Sequence, residues 1–386
     1  MFKEKRTVRA AETEEKAIEL YLKRYLDVFP EDALAGTKIV LYQHSAVGRD
    51  IIEKAFIGLG AEVVPVGRSE EFVPVDTEKV SGSTREYLKE WAGEYEPFAI
   101  ISTDGDSDRP LLADETGEFL TGDKLGALVS IYLKPDFAAI PISANDGVVK
   151  ALKDEGIEVK QTRIGSPYVI AAMNEKLALD PEAKVVSWES NGGFLLGSDW
   201  QIGGHELKAL PTRDAVLPLV SAILLAKKEG KKVSELIRAS LPDRSTHADV
   251  VDDKTPGCET YTAEMGKEII KDFSPADGTV EEVAFDGNSI KVNNLEANPE
   301  QAEELRSIKE KLEKYFNPDD GFSAISSVNF IDGIRIVFSN GDVAHIRPSG
   351  NAPEFRMYAT ADTEKRADEI AEARKKILPE IIKDMG

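Results

Sequence analysis

Short apolar segments alternate with amphipathic segments from Lys38 to Lys228, and this alternation constrains the fold more than any other sequence feature. The apolar segments have the length and residue types of buried strands. They are KIVLY, AEVVPVG and FAIIS in a first block, then FAAIPI, EVKQT and AKVVSWES in a second. Because helical segments separate them, the pattern predicts two successive α/β domains with mixed, mainly parallel sheets. In such sheets, ligands bind near the carboxyl ends of the strands.

The character of the sequence changes beyond about Ser245. An amphipathic helix is predicted near 300–315, and a hairpin is predicted around the Asn340-Gly341 turn. A single helix is predicted in TEKRADEIAEARKKILPEII at the end of the chain. We therefore predict a smaller α+β domain after the two α/β domains. The expected division is a remnant or linker at 1–12, α/β domains at 13–135 and 136–244, and the α+β domain at 245–386.

The amino-acid composition argues against some classes of binding partner. The formal net charge of -22 argues against a nucleic acid or an anionic membrane as partner. A local basic pocket for a phosphorylated small molecule remains compatible with this charge. No apolar run is long enough to span a bilayer. The single cysteine, Cys258, cannot form an internal disulfide, which suits a cytoplasmic protein.

A cluster of aspartates follows the predicted strand FAIIS. The segment STDGDSDR holds Asp104, Asp106 and Asp108 at alternate positions and Arg109 directly after them. Three oxygen ligands so close together suit Mg²⁺ better than zinc. An EF-hand is disfavoured, because Arg109 stands where that loop needs glycine and a strand precedes the cluster. A phosphatase with Asp104 as nucleophile and a solvated acidic turn are the remaining alternatives.

Two further segments carry candidate binding residues. In HIRPSGNAPEFR, two arginines flank a turn rich in backbone donors that could hold a phosphate. Its candidate residues are Arg347, Ser349, Gly350, Asn351 and Arg356. In WESNGG, Glu189 and Asn191 could bind vicinal sugar hydroxyls. Each segment taken alone is also compatible with an ordinary solvated loop.

Taken together and in order, the three segments resemble those of the α-D-phosphohexomutases, the phosphomannomutase/phosphoglucomutase family. Residues 104–109 agree with the family's magnesium loop, and RPSG matches its C-terminal phosphate loop. ESNGG stands in for its sugar-selecting loop, with Asn191 where the family has serine. The resemblance implies that Asp104, Asp106 and Asp108 bind Mg²⁺ and that Glu189 and Asn191 hold the sugar, which could be mannose or glucose.

The resemblance also implies roles for the basic residues. Arg109 would contact the transferring phosphate, and Lys124 would lie near the reacting hydroxyl. The residues from Arg347 to Asn351 and Arg356 would hold the other phosphate, and Arg163 and Ser166 would lie in the cleft. The implied substrates are hexose 1-phosphates, hexose 6-phosphates and hexose 1,6-bisphosphates.

One part of the family pattern has no counterpart in this sequence. Family members carry a phosphoserine in a first domain, and the chain resembles their second to fourth domains. The expected function is that of a phosphohexomutase without its phosphoryl donor. A non-catalytic sugar-phosphate binder and the Asp104 phosphatase remain as alternatives.

We expect little or no mutase activity from this chain alone, because the groups that stabilise a transferring phosphoryl would have no donor. The measurement is a turnover assay with mannose 1-phosphate and a bisphosphate activator. Turnover approaching that of a normal mutase would contradict the expectation and would point to another phosphoryl donor, either Ser45 after the first predicted strand or a domain supplied in trans.

Overall fold

The computed structural model describes residues 11–78, 80–287, 289–349 and 352–385. These residues form two compact units. The first contains most of the chain up to Leu241. The second contains the chain from Pro242 onward, together with the short segments 145–147 and 162–164. None of the helices in the described ranges is both long enough and apolar enough to cross a membrane.

Two five-stranded sheets form the framework of the first unit. The first sheet has the order β2-β1-β3-β4-β5, in which β1 pairs in parallel with β2 and β3. Strands β4 and β5 add antiparallel pairs at one edge. The strand bounds are β1 (Lys38–Tyr42), β2 (Glu62–Val66), β3 (Ala99–Thr103), β4 (Pro110–Ala113) and β5 (Phe119–Leu120).

The second sheet has the order β12-β9-β8-β6-β7. Strand β8 pairs in parallel with β6 and antiparallel with β9, and β9 pairs antiparallel with β12. Strands β10 and β11 form a separate hairpin. The bounds are β6 (Phe137–Pro141), β7 (Glu158–Thr162), β8 (Val185–Trp188), β9 (Phe194–Leu196), β10 (Trp200–Ile202), β11 (His205–Leu207) and β12 (Leu210–Asp214).

Eight helices accompany these sheets. Their bounds are α1 (Ala11–Leu26), α2 (Arg49–Gly58), α3 (Gly82–Tyr95), α4 (Gly122–Leu133), α5 (Asp146–Asp154), α6 (Ser166–Leu179), α7 (Val216–Glu229) and α8 (Val233–Ser240). A single buried cluster joins Leu41 and Phe56 near the first sheet to Trp188 and Ile223 near the second. One hydrophobic core therefore serves both sheets.

The second unit is built on an eight-stranded antiparallel sheet. Its order is β13-β20-β19-β18-β17-β14-β15-β16. The strands are β13 (Ser245–Val251), β14 (Glu282–Asp286), β15 (Ser289–Val292), β16 (Leu295–Glu296), β17 (Ile325–Asn329), β18 (Ile334–Phe338), β19 (Val343–Pro348) and β20 (Phe355–Ala361). The helices are α9 (Ala263–Asp272), α10 (Pro299–Glu313), α11 (Glu364–Glu372) and α12 (Arg374–Met385). The mixed α/β architecture and the antiparallel C-terminal sheet agree with the predicted fold class. The three-domain division stays a prediction.

The predicted C-terminal helix is interrupted. It consists of α11 and α12, which are separated at Ala373. The Arg374 guanidinium donates to the carbonyl of Ala371, an acceptor that a continuous helix would use for its own backbone. The same guanidinium contacts Asp249 of β13 at 2.6 Å. A long-range ion pair therefore accompanies the break in an otherwise regular helical pattern.

A buried histidine makes the second unit sensitive to acid. His345 is 1% exposed, and its Nε2 lies 2.5 Å from the carbonyl oxygen of Asp332. Burial lowers the pKa of His345 to about 3. In the unfolded chain a histidine has a pKa of about 6.5. Between these values the unfolded chain binds the additional proton, so stability is lost as pH falls from about 6.5 toward 3.

We expect the free energy of unfolding of the second unit to fall by up to about 1.4 kcal/mol per pH unit in this window. His345→Gln keeps a hydrogen-bond donor but does not titrate, so its pH dependence is expected to be shallower. Hydrogen exchange of the buried β19 amides at pH 7, 6 and 5 measures the effect. His247→Gln is the control, since His247 is partly exposed on β13. Equal slopes in the unchanged chain and His345→Gln would contradict the prediction.

Candidate functional site

The aspartate loop connects the buried strand β3 to β4. Strand β3 is buried along its whole length and ends at Thr103, so Asp104 directly follows the core. The loop closes on itself, because the backbone N–H of Asp104 donates to the Arg109 carbonyl at 3.1 Å. Ser107 adopts a positive φ of 65° within the turn. This compact loop brings the alternating aspartates toward one point.

One carboxylate oxygen from each of Asp104, Asp106 and Asp108 lies within 4.8 Å of the other two. Burial, together with a hydrogen bond and repulsion from Asp106, raises the pKa of the Asp104 carboxyl to about 6. Burial also raises the pKa of Asp108, while the Arg213 guanidinium acts in the opposite direction. The Oδ1 atom of Asp108 is buried and makes no hydrogen bond within the described ranges. A set of oxygen donors with these properties fits a hard divalent cation.

The loop after β1 supports the aspartate loop. His44 is fully buried, and its Nε2 contacts the Thr103 carbonyl at 2.9 Å. The backbone N–H of Val47 donates to the Gly105 carbonyl at 3.0 Å. The backbone N–H of Gly48 donates to Ser107 Oγ at 2.9 Å. These contacts position the loop, a role of His44, Val47 and Gly48 that is not predicted from the sequence.

The second candidate loop follows β8 and contains Glu189 and Asn191. Glu189 is 8% exposed, and its Oε2 accepts a hydrogen bond of 2.6 Å from Ser166 Oγ. The Asn191 side-chain oxygen accepts from the backbone N–H of Gly193 at 3.0 Å, so it shapes its own loop. Gly192 has a φ of 91°, and a Cβ there would lie 3.0 Å from the Pro110 carbonyl. The glycine therefore allows this loop to pack against the end of the aspartate loop.

Arg213, on β12, joins the two loops. Its Nη2 lies 2.7 Å from Asp108 Oδ2, and its Nη1 lies 3.7 Å from Glu189 Oε2. Arg213 is not among the candidate residues predicted from the sequence. The available signal was a charged pair, Arg213-Asp214, at the end of a strand that precedes the apolar helix α7.

The other predicted residues of the first unit lie nearby. The Nε of Arg109 is 3.6 Å from Asp104 Oδ2 and 3.7 Å from Asp108 Oδ1. Lys124 is half-buried in the first turn of α4. That turn touches the second loop, because a Cβ on Gly122 would lie 2.2 Å from the backbone nitrogen of Gly192. The first unit therefore brings together the aspartates, Arg109, Glu189 and Ser166, with Lys124 on an adjoining helix.

The second unit contains the predicted arginine loop. Arg347 on β19 and Arg356 on β20 are direct cross-strand partners. Arg347 Nε lies 3.5 Å from Asp332, and Arg356 donates to Glu354 at 2.9 Å. Two like charges directly opposite each other destabilise a sheet, and the two carboxylates offset part of this repulsion. The backbone N–H of Ser349 donates to the Glu354 carbonyl at 2.8 Å and closes the described part of the turn.

Of the remaining predicted residues, two lie outside the described ranges and one lies in the second unit. Gly350 and Asn351 lie outside the described residues. Arg163 belongs to the second unit, where its Nε donates to the Ile331 carbonyl at 3.2 Å. The adjacent backbone N–H of Ile164 donates to Asp332 at 3.0 Å, so this segment contacts the same aspartate as Arg347.

Comparison with known proteins gives a consistent result. Residues 121–243 match the family model "Phosphoglucomutase/phosphomannomutase, alpha/beta/alpha domain III". Residues 290–377 match "Phosphoglucomutase/phosphomannomutase, C-terminal domain". Together the two ranges cover more than half of the chain. The chain belongs to the phosphoglucomutase/phosphomannomutase family.

Individual members of this family are similar over most of the chain. A phosphomannomutase from Sinorhizobium fredii is 39% identical over 362 residues, which are 94% of this chain and 66% of that protein. A phosphomannomutase from Salmonella muenchen is 39% identical over 352 residues, 91% of this chain and 64% of that protein. The chain thus spans slightly less than two thirds of the length of these relatives.

A solved structure with low sequence identity shares the fold. It is the N-acetylphosphoglucosamine mutase of Aspergillus fumigatus in complex with GlcNAc-6P and magnesium. The TM-score is 0.53 at 14% sequence identity, and the match covers 94% of this chain and 64% of that chain. The predicted resemblance to the α-D-phosphohexomutases is therefore confirmed. The prediction that a phosphoserine domain is missing stays a prediction.

We predict that Asp106→Asn weakens the binding of Mg²⁺ or Mn²⁺ at least tenfold, because the change removes a charge and an anionic oxygen from the cluster. Asp106 is exposed, so the fold should tolerate the change. Isothermal titration calorimetry measures the affinity. The control is Asp154→Asn, which removes the same charge where the carboxylate pairs with Lys150 on α5. Equal metal affinity in Asp106→Asn and Asp154→Asn would contradict the prediction.

Proposed function

We propose that this chain carries the metal-binding and sugar-phosphate-binding parts of a phosphohexomutase. The reaction is the interconversion of hexose 6-phosphate and hexose 1-phosphate through a bisphosphate intermediate. The observation that carries the proposal is the contact of one guanidinium, Arg213, with the candidate metal ligand Asp108 and the candidate sugar ligand Glu189. The 39% identity to two phosphomannomutases supports it. The named relatives do not favour an Asp104 phosphatase.

Asp104, Asp106 and Asp108 would hold Mg²⁺. The ion would supply positive charge to the oxygens of a transferring phosphoryl group. The raised pKa of Asp104 and the buried Oδ1 of Asp108 support a cation at this cluster. Magnesium is also present in the complex of the Aspergillus fumigatus mutase, which has the same fold.

The sugar would be held mainly by Glu189. Its carboxylate can accept hydrogen bonds from two vicinal hydroxyls, and Ser166 already orients one of its oxygens. Asn191 would contribute through its side-chain amide. Mannose and glucose phosphates are both proposed substrates, and the GlcNAc-6P bound to the Aspergillus fumigatus mutase supports a phosphorylated hexose in general.

The basic residues would bind phosphate. Arg109 would contact the transferring phosphate, because its Nε already lies next to two of the metal-loop carboxylates. Lys124 would lie near the reacting hydroxyl. In the second unit Arg347, Ser349 and Arg356, together with Gly350 and Asn351, would hold the phosphate that does not react. The opposed arginines of β19 and β20 support this assignment, because an anion would relieve their repulsion. Arg163 would add a further cation to the second unit.

A cytoplasmic location is part of the proposal. Cys258 is buried and is the only cysteine in the sequence, so the chain has no internal disulfide to maintain in an oxidising compartment.

The experiment is titration of the chain with mannose 6-phosphate and glucose 6-phosphate in the presence of Mg²⁺. We expect saturable binding by calorimetry. Arg347→Ala is expected to weaken it by roughly tenfold or more, because a charge-assisted hydrogen bond is lost. Arg306→Ala is the control, since it removes an arginine from the exposed face of α10.

Two results would contradict the proposal. One is the absence of binding of either hexose phosphate to the unchanged chain. The other is release of inorganic phosphate from hexose 6-phosphate, which would point to hydrolysis with Asp104 as nucleophile.

A further inference from the structure

Arg213 contacts a carboxylate from each of the two candidate loops. The shorter contact, at 2.7 Å, is to Asp108 in the aspartate loop, and the longer, at 3.7 Å, is to Glu189 in the sugar loop. The planar guanidinium has several donors in a fixed arrangement, so one side chain can hold two carboxylates at a defined separation. Only 28% of the Arg213 side chain is exposed, so solvent screens these contacts less than it screens a surface ion pair.

The backbone of Arg213 is anchored by the next residue in β12. Asp214 is 4% exposed and accepts a hydrogen bond of 2.6 Å from the Tyr21 hydroxyl. The Tyr25 hydroxyl donates to its other oxygen. The backbone N–H of Val216 donates to the carboxylate at 3.1 Å. Burial and the Asp214 charge raise the pKa of both tyrosines, so both hydroxyls keep their protons and remain donors. The end of β12 is therefore held in place by contacts that involve neither candidate loop.

The sugar loop provides space for the Arg213 side chain. A Cβ on Gly193 would lie 2.5 Å from Arg213 Cδ and 2.8 Å from its Cγ. Both distances are shorter than van der Waals contact, so any side chain at position 193 would displace the arginine. The φ of Gly193 is not among the positive values, so the backbone itself does not require glycine. The requirement for glycine here comes from the Arg213 side chain.

Arg109 does not duplicate this arrangement. Its Nε contacts Asp104 and Asp108, which belong to the same loop as Arg109 itself. Among the ion pairs of the described residues, Arg213 is the cation that contacts Glu189. The link between the two loops through a charged side chain therefore depends on Arg213.

We propose that Arg213 is a positioning residue that fixes the sugar loop against the aspartate loop and thereby couples sugar-phosphate binding to metal binding. The identity of the two ligands, a sugar phosphate and a metal ion, rests on the proposed function. A ligand that orders Glu189 also orders Arg213 and hence Asp108, so each ligand raises the affinity of the other. Such coupling is reciprocal, and typical values are roughly 5- to 150-fold.

The first test needs no ligand. Arg213→Gln removes the charge, and Arg213→Lys keeps the charge but cannot hold two carboxylates with one planar group. In both variants we expect the amides of residues 189–193 to exchange hydrogen about tenfold faster than in the unchanged chain. Arg238→Gln is the matched control, since Arg238 is an exposed arginine on α8 of the same unit. Unchanged exchange in Arg213→Gln would overturn the proposal.

The second test measures the coupling directly. Mn²⁺ affinity is determined with and without saturating mannose 6-phosphate. We expect the ratio of the two dissociation constants to be at least fivefold in the unchanged chain and in Arg238→Gln, and close to one in Arg213→Gln. A ratio near one in the unchanged chain, or an unaltered ratio in Arg213→Gln, would overturn the proposal.

A third variant separates this role from a general effect of charge. Gly193→Ala keeps every charge but places a methyl group against the Arg213 side chain, so we expect it to lose the coupling as well. It also replaces Arg213→Gln in both tests if that variant does not fold. If the unchanged chain binds no hexose phosphate, the proposed function fails, while hydrogen exchange of residues 189–193 still decides the role of Arg213.

Discussion

Repulsion among three carboxylates is the constraint around which the first unit is organised. Asp104, Asp106 and Asp108 lie close together, and burial of Asp104 together with its hydrogen bond to and repulsion from Asp106 raises its pKa to about 6. The loop that carries them is closed by a backbone hydrogen bond and is supported by contacts from His44, Val47 and Gly48. Arg109 and Arg213 supply positive charge at its edge. A loop that holds several carboxylates close together in this way is typical of a binding site.

The second unit also holds like charges close together, but these charges are positive. Arg347 and Arg356 face each other across two strands of a sheet whose hydrogen bonds fix their separation. Asp332 and Glu354 compensate part of their charge. In each unit a regular and well-packed framework holds like charges together at a strand end.

Much of this arrangement could be predicted from the sequence because it is local. Strands β1, β3, β6 and β8 are short apolar runs, and the residues that directly follow β3 and β8 carry the candidate chemistry of the first unit. Arg213 could not be predicted, because its partners Asp108 and Glu189 lie far from it in the sequence and become neighbours through the pairing of β12 with β9. The same reason applies to His44, whose contact is to the next strand of the sheet. The interruption between α11 and α12 depends on Asp249, which is likewise distant in sequence. The roles of individual site residues stay predictions, and those of Gly350 and Asn351 concern residues outside the described ranges.

The contacts of Asp214 have a consequence for the evolution of related chains. The Asp214 carboxylate accepts hydrogen bonds from two tyrosine hydroxyls on helix α1. Loss of this carboxylate would leave both hydroxyls without their acceptor. Positions 21, 25 and 214 should therefore vary together rather than independently. A related chain that has phenylalanine at positions 21 and 25 should also have another residue at position 214. This covariation is expected although none of the three residues is proposed to contact a ligand.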